Sequence, residues 1–283
     1  MVSLSATQIG QAVDLVRLNG KIHSVFDRAC NLALEGGGFA TLINCDVALA
    51  PRAIRLATPT GFRFVELLVH GVRFACRGGV LRFAGADFSV DVRTAKSAEC
   101  TLPSVSDRDF DADARIRWDA AWGALFEFEP LYRIACPGAI GLLNDIERRT
   151  TATTLIGVGP GLTPAGDDVL VGFAAGAAMA GRDICDVVPD IAATASRTTD
   201  LSASMLRDAM AGLFSEPVIA LASAIRLGGD VRDALERLGE VGDTSGVAAA
   251  LGVLIGLAAG DAALRDVACG RLRAVTSVPR EAA

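Results

Sequence analysis

The chain of 283 residues is long enough for one large or two ordinary domains, and at 51% hydrophobic it can fill a sizeable core. Its net charge of −6 argues against nucleic acid as the main partner, and lysine is confined to Lys21 and Lys96, so cationic contacts to a phosphate or carboxylate fall to arginine. The apolar stretches Val169–Ala180 and Val247–Gly260 each fall short of the ~20 residues that span a bilayer, so they read as buried helices and no membrane partner is expected.

In chain order, a helix is expected first over Phe26–Leu34, stopped by Gly36-Gly37-Gly38. Short apolar or alternating runs then predict strands at Phe39–Ile43, Ala53–Ala57, Phe62–His70, Val72–Cys76, Val80–Ala84 and Phe88–Val92. Turn residues such as Thr60-Gly61, Gly78-Gly79 and Gly85-Ala86-Asp87 separate them. The stretch Lys96–Ala112 is polar, with Pro103 and the acids Asp107, Asp109 and Asp111 leading to Asp113, and reads as a linker. Those acids read as a solvated loop, because no EF-hand glycine or closing glutamate follows at the right spacing.

Helical spacing begins at Ala114–Phe128 and Ile140–Arg149, and another helix is expected from about Asp167. Ser202, Ser215, Asp230 and Asp243-Thr244 announce four more, with Gly212, Gly228 and Gly239 as stops. The fold class is therefore α+β, a β-rich N-terminal half (1–105) followed by an α-helical C-terminal half (106–283). The seven cysteines form no CxxC pair, and only His23 and His70 could join them, which argues against zinc. Their odd number and the lack of a basic-then-apolar leader predict reduced thiols in a cytoplasm.

The segment GVGPGLTPAGDDVLVGFAAG, Gly157–Gly176, is the chain's most informative motif. Gly157, Gly159, Gly161 and Gly166, with Pro160 and Pro164, precede the pair Asp167-Asp168 at the start of an apolar helix. Such a loop lets backbone N–H groups approach an anion, and a helix N-terminus adds donors and partial positive charge. A carboxylate pair beside it suits either proton transfer or a divalent cation, with Mg2+ the candidate. The two acids are expected to differ in role: at least one faces the ligand, and helix capping is the alternative for the other. A weak repeat accompanies the motif: at an offset of 80, Ala165-Gly166 matches Ser245-Gly246, Gly172 matches Gly252 and Gly176 matches Gly256. If the repeat is structural, two glycine-faced helices pack with their N-termini on one side, and Thr244, Ser245 and Gly246 come close to the loop.

These residues resemble the signature of the AllH family, whose core typically reads G-x-GPGLTPSGDD-x-L-x-G; Ala165 stands where serine is usual. HSVFDRACNL (His23–Leu32) is similar to the family's N-terminal segment, and LSASMLRDAMAGLFSE (Leu201–Glu216) to its middle helix and following turn. GDTSG (Gly242–Gly246) resembles a G-H-T-S-G motif, with Asp243 in place of histidine. The resemblance implies a subunit of an oxamate carbamoyltransferase, which turns oxalurate, or a related ureide, and phosphate into oxamate and carbamoyl phosphate in allantoin and purine breakdown. Other subunits are then partners.

That reaction needs N–H donors for a developing oxyanion, a cation for a substrate carboxylate and a proton donor for the leaving nitrogen. Asp167 and Asp168 are the candidate catalytic acids and the candidate Mg2+ ligands. Gly159, Gly161, Leu162, Thr163, Gly166, Thr244, Ser245 and Gly246 are candidate substrate or phosphate contacts, together with Ser24, Arg28 and Ser202. Arg197, in Ser196-Arg197-Thr198, is an alternative cation to Arg28, and His23 a further candidate. Two other readings stay open: a non-catalytic scaffold subunit that binds an anion in the same loop, and a ribokinase-like kinase with Asp167 as base. A continuous parallel α/β sheet would favour the kinase.

Overall fold

The structure, a computed structural model, describes residues 2–105, 110–128, 138–144, 147–183 and 195–276. It divides into two compact units, 1–100 and 101–283. The first holds nine strands: β1 (Val2–Gly10), β2 (Asn19–Val25), β3 (Ala29–Leu34), β4 (Phe39–Ile43), β5 (Ala53–Leu56), β6 (Arg73–Arg77), β7 (Val80–Phe83), β8 (Phe88–Asp91) and β9 (Lys96–Ala98). They run in the order β5-β4-β3-β2-β6-β7-β8-β1, and β1 pairs back with β5 to close an eight-stranded barrel. Strand β1 makes this possible by dividing its length: Val2–Ser5 pair in parallel with β8, Ala6–Ile9 pair antiparallel with β5, and Gln8–Gly10 also hold β9.

Eight strands enclose an interior that side chains can fill. Ile22, Leu32, Leu42, Ile54, Leu81 and Val90 fill it, with Phe64, Phe74, Phe83 and Phe88. Strands β3, β4, β7 and β8 each contribute alternate residues (Cys30 and Leu32, Ala40 and Leu42, Leu81 and Phe83, Phe88 and Val90), so the period of two that marks Phe88–Val92 in the sequence is the pattern of a barrel wall.

Three local expectations are corrected here. Residues 26–34 form no helix: Phe26–Arg28 turn the chain and Ala29–Leu34 is strand β3. The run satisfies both periodicities, but Cys30 and Leu32 point into the barrel while β2 and β4 supply backbone partners on either side. The Gly36–Gly38 segment is accordingly a hairpin turn, with Gly37 and Gly38 at φ 86 and 81. Phe62–His70 is not a strand; it holds a short 3-10 turn, Phe64–Glu66, whose Phe64 plugs the barrel core. Lys96–Ala98, assigned to a linker, is β9.

The second unit is helical, as expected. Its described helices are α1 (Ala112–Phe126), α2 (Arg148–Leu155), α3 (Ala165–Met179), α4 (Asp200–Met210), α5 (Glu216–Leu227), α6 (Val231–Gly239), α7 (Ser245–Ala258) and α8 (Ala262–Thr276). Asp111 and Asp230 cap α1 and α6 by accepting the Ala114 and Asp233 N–H groups, whereas Asp107 and Asp109 lie outside the described residues. Gly239 closes α6 from inside the helix, and the left-handed glycine that follows is Gly242 at φ 62.

The core of this unit is the pair α3 and α7. Every residue of α3 except Ala178 is buried, and every residue of α7 except Ser245. A Cβ added to Gly172 would lie 1.9 Å from the Ala249 carbonyl oxygen, and one on Gly252 would lie 2.2 Å from that of Val169. Gly176 and Gly256 meet Val253 and Phe173 in the same reciprocal way. Residue numbers rise together along both helices, so they are parallel, with backbones in contact at a seam only glycine permits. The repeat at offset 80 is thus a structural pseudo-symmetry. Trp118 of α1 pins the seam from outside by donating its Nε1–H to the Leu254 carbonyl at 2.9 Å.

Candidate functional site

Parallel packing of α3 and α7 brings two helix N-termini, each with its partial positive charge, to the same side of the unit. The chain enters α3 through Gly157–Pro164, with Gly157, Gly159 and Gly161 at φ 76, 123 and 92. At Gly159 both conformation and space demand glycine, since a Cβ there would lie 2.8 Å from the Ala165 nitrogen. The Gly166 N–H closes the loop by donating to the Val158 carbonyl at 2.8 Å. The N–H groups of Gly159, Gly161, Leu162 and Thr163 donate to no acceptor among the described residues, and Gly159–Gly161 are exposed.

The helix starts at Ala165 with Pro164 as its cap residue, and neither aspartate caps it. The expectation of a capping acid is therefore corrected: Pro164 holds the cap position and no side chain makes a capping hydrogen bond, because the Asp167 oxygens are taken by donors outside the helix. Asp167 is 1% exposed and ties three elements together. Its Oδ1 accepts the Gly157 N–H at 2.9 Å, and its Oδ2 accepts the Ser202 hydroxyl at 2.7 Å and that of Thr198. Thr199 adds a stitch from the same segment, donating its hydroxyl to the Leu162 carbonyl while capping α4 through the Ser202 N–H. Asp167 is thus a fully satisfied carboxylate that holds the loop, the Arg197–Thr199 segment and α4 in register.

Asp168 is the opposite case. It is 2% exposed, and its Oδ2 has no hydrogen-bond partner among the described residues. Burial, with the neighbouring Asp167 charge adding, pushes its carboxyl up to about 7, against the hydrogen bond from Ser245 that favours the charged form. Ser245 opens α7, and its Oγ lies 2.9 Å from Thr163 Oγ1 on the loop. The turn Thr244-Ser245-Gly246 and the glycine-rich loop therefore do meet.

Mg2+ does not fit this acid pair. Both Asp167 oxygens are occupied by donors, which leaves Asp168 as a single carboxyl that holds its proton near neutrality. No group of three or more His, Cys, Asp or Glu is placed to hold a metal ion among the described residues.

The remaining candidates divide between the units. Gly166 and Gly246 are buried packing glycines whose N–H groups are taken by Val158 and Val241. Ser202 spends its hydroxyl on Asp167, and Thr244 is the cap residue of α7. Ser24 and Arg28 belong to the barrel unit. Ser24 accepts from Asn31 at 2.9 Å beside His23, the bulged residue of β2, and Arg28 pairs with Asp46 at 3.1 Å on the surface. Sequence reasoning missed Thr198 and Thr199; hydroxyls just before a predicted helix were the available signal. One cavity of about 630 Å³ is lined by residues including Glu147, Arg265 and Arg273, and none of the loop residues lines it.

Residues 155–257, from the end of α2 through the loop, the Asp167 clamp and most of α7, match the family model for oxamate carbamoyltransferase subunit AllH. Residues 3–97, nearly the whole barrel, match the AllH family N-terminal domain. The chain belongs to the AllH family. Its AllH segment begins where the loop is anchored, at Leu155, whose carbonyl oxygen would lie 2.1 Å from a Cβ on Gly166. The AllH description names a subunit, so a complex with other chains is part of what the family implies. No curated protein and no solved structure matches the chain. No helix of the described residues is long and apolar enough to cross a membrane.

Proposed function

We propose that this chain is a cytoplasmic subunit of a carbamoyl-transferring enzyme that exchanges a carbamoyl group between oxalurate, or a related ureide, and phosphate. The observation that carries this reading is the glycine-rich loop, whose free N–H groups lie beside a buried acid at the meeting of two helix N-termini. Donors held in place without reorganisation suit both a phosphate and the oxyanion that develops at the carbamoyl carbon. The loop N–H groups of Gly159, Gly161, Leu162 and Thr163 seat the anion. Asp168 is the acid that moves the proton, and Asp167 is a positioning residue that fixes the loop. Arg197 lies on the segment pinned to Asp167 and Leu162, its carbonyl oxygen 1.9 Å from where a Cβ on Gly157 would sit, and supplies the nearby cation.

The fold removes the support for a kinase. The described strands form a closed barrel ahead of the helices, not a parallel sheet alternating with them. The deciding assay is phosphate-dependent cleavage of oxalurate, with this chain alone and with the other subunits of its complex. Turnover that requires the chain and falls roughly 100-fold or more in Asp168→Asn supports the reading, that being the scale of acid–base catalysis. Full turnover by the complex with Asp168→Asn would leave the chain as a scaffold.

A further inference from the structure

Asp168 is shut away from solvent, yet one of its oxygens has no partner among the described residues and the other group bound to it is a hydroxyl. A purely structural acid would be satisfied as Asp167 is, because a buried oxygen left unpaired is costly. The hydroxyl belongs to Ser245, the first residue of α7, and 2.9 Å further on is the Thr163 hydroxyl, half-buried on the glycine-rich loop. A hydroxyl both donates and accepts, so two in series can pass a proton in either direction while their oxygens stay in place. We propose that Ser245 and Thr163 form a relay that carries a proton between the buried Asp168 carboxyl and a ligand seated on the loop.

The groups around Asp168 favour this use. From its own helix it faces the Asp167 charge, which adds to the cost of ionising it. From α7 it meets the Ser245 hydroxyl, and the first turn of α7 carries no acid. From α4, the Ser202 hydroxyl goes to Asp167 instead. A carboxyl raised toward neutrality by burial can both give and take a proton at cellular pH.

The inference rests on the carbamoyl-transfer reading for its chemistry. A phosphate oxygen forms a bond to the carbamoyl carbon, and the bond from that carbon to the oxamate nitrogen breaks with its electron pair going to nitrogen. Thr163 gives its proton to that nitrogen, Ser245 resupplies Thr163, and Asp168 resupplies Ser245 and becomes a carboxylate. The proton shed by the phosphate hydroxyl then returns to Asp168 along the same two hydroxyls in reverse.

The test pairs kinetics with a measurement that needs no turnover. In the complete enzyme with oxalurate and inorganic phosphate, Thr163→Val and Ser245→Ala should each lower kcat roughly 100-fold with KM for phosphate little changed. Thr163→Ser should retain activity, and the double variant should fall no further than the worse single one. In the full chain alone, the infrared carbonyl band lost in Asp168→Asn reports the Asp168 proton. Its titration midpoint should rise in Ser245→Ala, because the hydrogen bond favouring the carboxylate is gone. Multiplicative losses, a raised KM at unchanged kcat, or an unmoved midpoint would each overturn the relay. If the complete wild-type enzyme does not turn over oxalurate, the carbamoyl reading fails, and the relay stands or falls on the infrared midpoint.

Discussion

The seam between α3 and α7 predicts that two glycine-to-alanine changes will act in opposite directions. In Gly172→Ala the new methyl carbon would start 1.9 Å from the Ala249 carbonyl oxygen, where ordinary contact needs at least 3.4 Å. Relief requires the helices to separate by more than an ångström, and the seam's other glycine contacts, at Gly176, Gly252 and Gly256, open with them. A gap of 0.5–1 Å already forfeits roughly a quarter to a half of each dispersion contact. Overpacking of this kind costs about 3 kcal/mol, against about 1 kcal/mol returned by the better helix propensity of alanine. The net loss of about 2 kcal/mol should lower the melting temperature of the helical unit by roughly 4–8 °C. Gly123→Ala, at an exposed position of α1 where a Cβ meets nothing within 4 Å, keeps the propensity gain and should raise Tm by about 2–4 °C. Thermal unfolding followed by circular dichroism at 222 nm on the two variants decides the matter. Gly172→Ala at or above wild-type Tm would refute the close-packed parallel seam.

Three further outcomes are expected. Asp167→Ala strands the donors of Gly157, Thr198 and Ser202 and should cost about 3 kcal/mol in denaturant unfolding, with new proteolysis at the loop; Thr198→Val should cost about half of that. Asp168 binds its proton more tightly folded than unfolded, so between its ordinary 3.8 and about 7 the folded state holds the extra proton and stability falls as pH rises. Asp168→Asn should abolish that slope and be the more stable form at pH 8, as read by urea titrations across pH; an unchanged slope would show that the acid is not buried as described. Burial pushes the Cys30 thiol up to about 12, so alkylation of the native chain at pH 8 should mark the exposed Cys45 and spare Cys30 until unfolding, as peptide mass spectrometry would show.

The sequence made the division into β-rich and helical halves legible because period two and helical spacing occupy different stretches. It failed at residues 26–34, where alternation and helical spacing coexist and only the pairing of β3 with β2 and β4 decides between them. It failed again at Phe62–His70, where apolar residues serve as a plug and not as a wall. The glycine-rich loop and the offset-80 repeat were readable because glycine is demanded by backbone conformation and by close approach, which leave a mark at fixed positions. The unequal burden of the two aspartates was not readable. It depends on Thr198 and Ser202 converging on Asp167 from more than 30 residues away, while Asp168 meets a single hydroxyl from the other end of the repeat.

Closure of the barrel has a consequence for how the chain can associate. Every strand of the described sheet has at least two neighbours except β9, which pairs only with β1 and is three residues long. Edge-to-edge growth, whether into fibres or onto an incoming peptide, has no longer rim to build on there, and that rim carries Lys96, one of the chain's two lysines. Another protein meeting this unit must therefore read its outer side chains, so the selectivity of any such docking is written in surface residues and can drift between relatives while the barrel stays the same.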